Sequence, residues 1–395
     1  MRKMTQLAKQ APLALAAATL TLGAGIGTAQ ASDVELPRTL VWSAYPTGTT
    51  GYSQAVGIGA VLQNEYGTNL RVVPGRNDIA RFEPLRRGRA QFVAGGTEAM
   101  SAQEGIRDFG VLNWGPQPVR SGLWNLSDGC SFTMQVHGDS DMHTINDIKG
   151  KRVPYVQGAP APNAGFEYLM NYANLTWDDV EVVELGGYMN MIEAFLDNRL
   201  DVKWNACNSA TLHRVANAPR GVRFIEFPHD DEEAVARVNA QAPWFVPHVA
   251  TNVVGVDPGD GLEVFTSPYP LLATYADTDA DVVYNLTKAM HLHFDDYQDS
   301  APGMEGWAMD RQAIETSFVP FHEGAVEYFK EVGLWTVAAE ENQQQQLRRQ
   351  EILMEAWETY RETAPTNPEE YAKGWMAARY EALVENDMIP LLERW

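Results

Sequence analysis

Three times within its first hundred residues the sequence runs from a short apolar segment through a glycine-bearing turn into an amphipathic segment, and that recurrence leaves few architectures open. "TLVWSAY" reads as a buried strand. The turn "SAYPTGTTGYS" follows, and residues 54–66 carry Val56, Ile58, Val61 and Leu62 at helical spacing and stop at Gly67. "NLRVV" is the next strand, and Pro74, Gly75, Arg76 and Asn77 form the second turn. Ile79, Phe82 and Leu85 share one face of the helix that Gly88 closes. "AQFVA" is the third strand, after which Gly95, Gly96, Thr97 and Glu98 open another helix. Strands that each release a turn into a helix make an α/β fold. Its turns gather at the carboxyl ends of the strands, where such folds take ligands.

The second half repeats the arrangement with other residues. "SFTMQVHGDS" reads as a long strand able to cross between domains, and "TINDIKGKRVPYVQGAPAPNAGFEYLM" gives a short helix, a strand, a loop and a helix. "VEVVEL", a helix over 188–198 and "LDVKWNACNSA" add strand, helix and strand; "PLLATYAD" is a return strand and 280–293 a helix. The expected organisation is two α/β domains joined by two crossings around a cleft. Domain I takes residues 32–134 and returns over 266–335, and domain II takes 135–265. Residues 336–395 form a C-terminal helical extension, with amphipathic helices over 336–362 and 368–392. The glutamine run at 343–346 reads as solvated helix surface.

Residues 1–31 carry Arg2, Lys3 and Lys9, an uncharged Ala/Leu-rich core and Ala29, Gln30, Ala31 as an A-x-A cleavage site, the pattern of a cleaved secretory signal peptide. No later segment approaches the ~18 apolar residues of a membrane span, so a soluble periplasmic protein is expected. The formal net charge of -22 sets nucleic acid aside as a partner, and an anion would have to be held locally, by backbone amides and a few placed cations. Cys130 and Cys207 can form one disulfide in an oxidising compartment or remain two buried thiols. Neither belongs to a metal pattern, and His291 and His293 are two apart, so they point to different faces of a helix. No metal and no cofactor are called for.

The first turn is not a phosphate loop, because Gly48, Thr49, Thr50 and Gly51 are followed by Tyr52 instead of lysine. Gly57, Ile58 and Gly59 lie inside a helix, so the dinucleotide fingerprint fails as well. What remains is a helix N-terminus with Thr47, Thr49 and Thr50 hydroxyls beside its amides, suited to a carboxylate, with Tyr52 as a cover; a capped helix start holding nothing is equally open. Arg76 is the cation of these turns, beside Asn77, and can pair a carboxylate in bidentate fashion. Thr97 opens the third helix. From the second domain Pro160 and Asn163 sit at a helix start, and Trp204 and Asn205 end a strand, offering an apolar wall and an amide. No nucleophile elbow, zinc-protease or kinase set is present, so a binding protein is expected and an exported enzyme with scattered residues is the alternative.

"VWSAYPTGTTGYSQAVGIGAVL", "VVPGRNDIARFEPLRRGRAQFVAGG", "INDIKGKRVPYVQGAPAPNAGFEYLM", "MIEAFLDNRLDVKWNAC" and "VPFHEGAVEYFK", in this order over residues 40–330, resemble the TAXI family, the solute-binding receptors of TRAP transporters. The resemblance implies a periplasmic binding protein of type II-like, two-domain α/β fold. Such a receptor is a monomer that closes on a small carboxylate such as glutamate or a dicarboxylate. It delivers the ligand to TRAP membrane subunits, driven by an ion gradient without ATP. By position, the family's binding loops fall on Thr47, Gly48, Thr49, Thr50, Gly51 and Tyr52, on residues 74–77, and on residues 158–163. Arg76 stands where the family has glycine, and Asn163 near a usual small hydroxyl residue. The extra cation favours a more acidic ligand, a dicarboxylate or 2-oxo acid.

Overall fold

The computed structural model describes residues 34–257 and 259–392, so the signal-peptide assignment at 1–31 lies outside the described residues. Strand β1 (Thr39–Ala44) feeds a turn in which Thr49 caps α1 (Thr50–Tyr66): its hydroxyl accepts the Tyr52 N–H at 3.3 Å. The helix therefore starts inside the expected loop. It ends at Gly67, whose φ of 67° lies in the left-handed region. β2 (Asn69–Pro74), α2 (Asp78–Arg86), β3 (Phe92–Gly95), α3 (Glu98–Glu104) and β4 (Val119–Trp124) continue the alternation. β1 lies between β2 and β3 and is parallel to both, so the turns after all three strands meet at one edge of the sheet.

The chain then builds a second lobe. Its elements are β5 (Thr133–Val136), β6 (Arg152–Val156), α4 (Pro160–Tyr172), β7 (Glu181–Leu185), α5 (Tyr188–Leu196), β8 (Val202–Asn205), α6 (Ala210–Ala216), β9 (Arg223–Phe224), α7 (Glu232–Gln241), β10 (Val246–Ala250) and β11 (Leu262–Thr266). β5 pairs antiparallel with β8 and β9, β6 pairs parallel with β7, and β10 with β11 forms an antiparallel hairpin. β5 is much shorter than the strand read from "SFTMQVHGDS". Ser131 is taken up by the crossing between lobes, where its N–H donates to Thr266 Oγ1 at 3.1 Å and its hydroxyl accepts the Ser267 N–H at 3.1 Å.

After this second crossing β12 (Leu271–Tyr275) re-enters the first sheet, antiparallel to β3 and β4, and gives the order β2-β1-β3-β12-β4. α8 (Ala280–Leu292), α9 (Phe294–Tyr297) and α10 (Glu323–Glu331) complete lobe I. The protein is thus an α/β fold of two lobes with open sheets and a helical C-terminus. A disulfide joins Cys130 to Cys207, with Cα atoms 5.2 Å apart, and ties the outgoing crossing to the loop after β8.

The extension forms α11 (Val337–Arg361) and α12 (Pro368–Glu385), the second stopping before the expected end at 392 as Asp387 turns to a φ of 57°. The glutamine run is not plain solvated surface. Gln343 is buried: its Oε1 accepts the Phe321 N–H and its Nε2 donates to the Phe321 carbonyl, both at 2.8 Å. A helix packed on irregular backbone must satisfy those exposed peptide groups, and glutamine does so with both ends. Deeper in, Glu104 at the end of α3 is 1% exposed and receives Arg349 of α11 and Arg379 of α12. Burial alone would push its pKa up, but the Arg379 and Arg349 guanidiniums hold it below the usual glutamate range.

Replacing Glu104 by Gln removes the buried carboxylate that Arg349 and Arg379 share. We expect urea denaturation to report a loss of about 3–5 kcal/mol for Glu104→Gln. The depressed pKa fixes the sign with pH: the wild-type contribution is full above the ordinary carboxylate range and is lost as pH falls through the folded-state value. A variant as stable as wild type would show that the tail is not anchored there.

Candidate functional site

The edge where the turns of lobe I gather faces lobe II across a cleft of about 880 Å³, counted out to its open mouth. Lobe I contributes Tyr45 and Thr49 after β1, Arg76 and Asn77 after β2, Thr97 and Glu98 after β3, and Tyr269 before β12. Lobe II contributes mainly rings: Phe132, Tyr168, Tyr188, Trp204, Trp244 and Phe245. Phe132 and Trp204 stack at 5.5 Å with an interplanar angle of 15°, and Tyr188 leans on Trp204 at 5.1 Å. Burial pushes the Tyr168 and Tyr188 hydroxyls up to about 12, so both are neutral near pH 7.

The lobe I pole is ionic. Arg81, 3% exposed on α2, donates through Nη2 to Asp78 Oδ1 at 2.8 Å and to Glu98 Oε1 at 2.5 Å. Its guanidinium carbon lies 3.8 Å from the Tyr45 ring centre. Helical spacing sets Asp78 and Arg81 on one face, and the start of α3 brings Glu98 to the same guanidinium. Both line the cleft, yet neither Arg81 Nη1 nor Glu98 Oε2 has a hydrogen bond among the described residues.

The lobes are in direct contact around this cavity. Ala161 N–H at the start of α4 donates to Asp78 Oδ2 at 2.9 Å, Ile79 N–H to the Gly158 carbonyl at 3.1 Å, and Tyr188 N–H to the Arg76 carbonyl at 3.2 Å. Asn77 caps α2 through the Ala80 N–H and sends its Nδ2 to the Gln157 carbonyl at 2.8 Å. On the far side Thr211 N–H reaches the Gly48 carbonyl at 3.2 Å, Thr50 Oγ1 donates to Asn208 Oδ1 at 3.0 Å, and Arg107 pairs with Glu167 at 3.1 Å. Helix N-termini from each lobe thus take their missing acceptors from the other, which is a closed arrangement.

Of the sequence-derived candidates, the structure brings Thr49, Arg76, Asn77, Thr97 and Trp204 to the cavity wall. In the first turn, amides offered to a carboxylate already have partners within the protein. Tyr52 N–H is spent on Thr49 Oγ1, Ser53 N–H on the Thr49 carbonyl and Gly51 N–H on the Tyr269 hydroxyl. Thr47 is exposed, and Gly48, Thr50, Gly51 and Tyr52 serve the helix start and the lobe contact. Pro160 is the first residue of α4, outside the lining. Asn163 is buried and closes the end of β6: its Oδ1 accepts the Val156 N–H at 3.0 Å and its Nδ2 donates to the Val156 carbonyl at 2.9 Å. Asn205 is likewise consumed, by Tyr188, Ser209 and Thr211.

Arg81, Glu98, Tyr45, Trp244 and Phe245 were not singled out by sequence reasoning. Arg81 had a signal: with Asp78 it places charges three apart on a helix whose next turn carries Leu85 toward the core. Trp244 and Phe245 follow α7 in a loop with no motif, and only the fold brings them to the cleft. Away from it, Glu65, His293 and Asp296 bring ligand-type atoms within 4.8 Å of one another at the surface, with His293 Nδ1 2.7 Å from Asp296 Oδ2.

Residues 46–333 match the model of the NMT1-like family. The chain belongs to that family. Among solved structures, this NMT1-like chain is similar to the alkanesulfonate-binding protein SsuA from Xanthomonas axonopodis pv. citri bound to MOPS, at 16% identity over 69% of this chain and 80% of that one, with a TM-score of 0.44. It is similar also to an ancestral arginine-binding protein bound to arginine (12% identity, 69% and 99%, TM-score 0.43). A protein from Bordetella bronchiseptica RB50 matches over 90% of each chain at 12% identity and a TM-score of 0.45. No curated protein is detectably similar in sequence. Among the described residues no helix is long and apolar enough to cross a membrane.

Asp78 supplies a test of the ionic pole. Its pKa is raised to about 7, first by burial and then by Glu98, against the pull of Arg81. The unfolded chain releases that proton near pH 4, at about 3.9. Between the two values the folded protein binds the extra proton, so stability falls as pH rises from about 4 to about 7. Asp78→Asn should abolish this component: the wild-type melting temperature drops relative to the variant across that window. A difference that stays constant with pH would contradict it.

Proposed function

We propose that this NMT1-like protein is an exported solute-binding receptor of the TAXI type, which closes on a small organic acid and hands it to the membrane subunits of a TRAP transporter. The observation that carries the reading is a cavity closed between two lobes that contains a buried guanidinium with one amino group unengaged. Arg81 Nη1 takes one carboxylate oxygen, and Arg76 at the exposed side of the cleft, which has no ion pair among the described residues, takes the other from the mouth. Hinge motion at the two crossings opens the cleft, and ligand contacts with both lobes favour the closed form. The site performs capture without a chemical step: Arg81, Asp78 and Glu98 are paired for holding charge, and no nucleophile with an adjacent base lines the cavity among the described residues.

Arg76 is exposed, so its removal leaves the fold intact. Arg76→Ala should weaken the acid by about tenfold or more in calorimetry, since a hydrogen bond to a charged group contributes about 1.5–3 kcal/mol. Affinity unchanged in that variant would remove Arg76 from the site. Mass spectrometry of the released ligand separates receptor from enzyme: one intact acid recovered per protein is expected, and conversion to a new compound would favour the enzyme.

A further inference from the structure

The charges of the cleft are all on one side. Arg76, Asp78, Arg81 and Glu98 come from lobe I, whereas the lining contributed by lobe II contains no Asp, Glu, Lys or Arg. Lys203, the position before Trp204 on β8, alternates to the opposite face and gives its Nζ to Gln135 and Asn205. A dicarboxylate whose second carboxylate reached into lobe II would lay it against Phe132, Trp204 and Phe245, losing water without gaining a cation there. The ionic pole itself leaves groups of opposite sign open, and Arg81 Nε is unpaired as well. Arg81 Nη1 is a donor without an acceptor and Glu98 Oε2 an acceptor without a donor, on side chains 3% and 1% exposed. With Glu98 already paired to Arg81 and one of its oxygens open, a ligand bearing only negative charge would leave that oxygen without a donor.

We infer that the cleft selects a small zwitterion with an apolar, planar or branched body: its carboxylate on Arg81, its ammonium on Glu98, and its body against the Phe132 and Trp204 stack of lobe II. This rests on the receptor reading and narrows its organic acid to an α-amino acid with an uncharged side chain. The head binds lobe I in the open form, and closure brings the aromatic wall down on the body. Specificity for the side chain therefore resides in lobe II and affinity for the head in lobe I.

The test is calorimetry and thermal shift on the ligand-stripped protein with L-phenylalanine, L-leucine, 3-phenylpropanoate, phenethylamine, L-glutamate, succinate and 2-oxoglutarate. L-Phenylalanine or L-leucine should bind most tightly, and deleting either head group, as in 3-phenylpropanoate or phenethylamine, should weaken binding at least tenfold. Glu98→Gln should narrow the gap between L-phenylalanine and 3-phenylpropanoate, a change that a merely structural Glu98 would not produce. Trp204→Ala should weaken L-phenylalanine at least tenfold. If Glu98→Gln fails to fold, the wild-type panel alone decides. Tighter binding of L-glutamate, succinate or 2-oxoglutarate overturns the inference and leaves the receptor reading standing; equal binding of 3-phenylpropanoate and L-phenylalanine overturns the role of Glu98. Silence across the whole panel overturns both readings.

Discussion

A guanidinium taken out of water has to be met by charge and hydrogen bonds, and in Arg81 that requirement organises the cleft. It draws Asp78 from its own helix and Glu98 from the next, and it lies over the Tyr45 ring after β1. The turns after β1, β2 and β3 are thereby held to one another at the carboxyl edge of the sheet. Asp78 then spends its second oxygen on Ala161 N–H across the cleft, so the group that neutralises Arg81 also joins the lobes. Ion pairing and closure share one carboxylate.

The short helix α3 connects this pole to the C-terminal extension. At about 1.5 Å per residue its seven residues span about 10 Å, with Glu98 at the cleft end and Glu104 at the other. All seven are buried. A helix this short is not stable alone, so its position must come from what it packs against. Arg349 and Arg379 supply that by clasping Glu104, while Gln103 and Gln350 bond to each other and to neighbouring backbone. The extension thus bears on the site mechanically, by fixing the element that carries Glu98.

The strand, turn and helix alternation was legible because each segment has its own period and its own punctuation. Gly67 and Asn77 mark a helix end and a helix start in the sequence and in the structure alike. The candidates that come to the cleft wall lie near strand ends: Arg76 and Asn77 follow β2, Thr97 follows β3, and Trp204 is the next-to-last residue of β8. Other candidates carry a local structural duty, which a sequence does not display. Asn163 mends the end of β6, Asn205 joins a hydroxyl network, and the amides beside Thr49 are consumed by the helix start. Trp244 and Phe245 reach the cleft only through tertiary packing, and Gln343 looks solvated until the backbone at Phe321 lies beside it.

The most direct measurement is amide hydrogen exchange with and without L-phenylalanine at a concentration where calorimetry shows saturation. The amides of Ile79, Ala161, Tyr188 and Thr211 are the ones that donate across the cleft. If ligand capture is closure of two lobes over one cavity, all four exchange more slowly in the bound protein, because opening must then break ligand contacts first. A saturated protein in which these four amides exchange as fast as in the free form would contradict closure as the mechanism of capture.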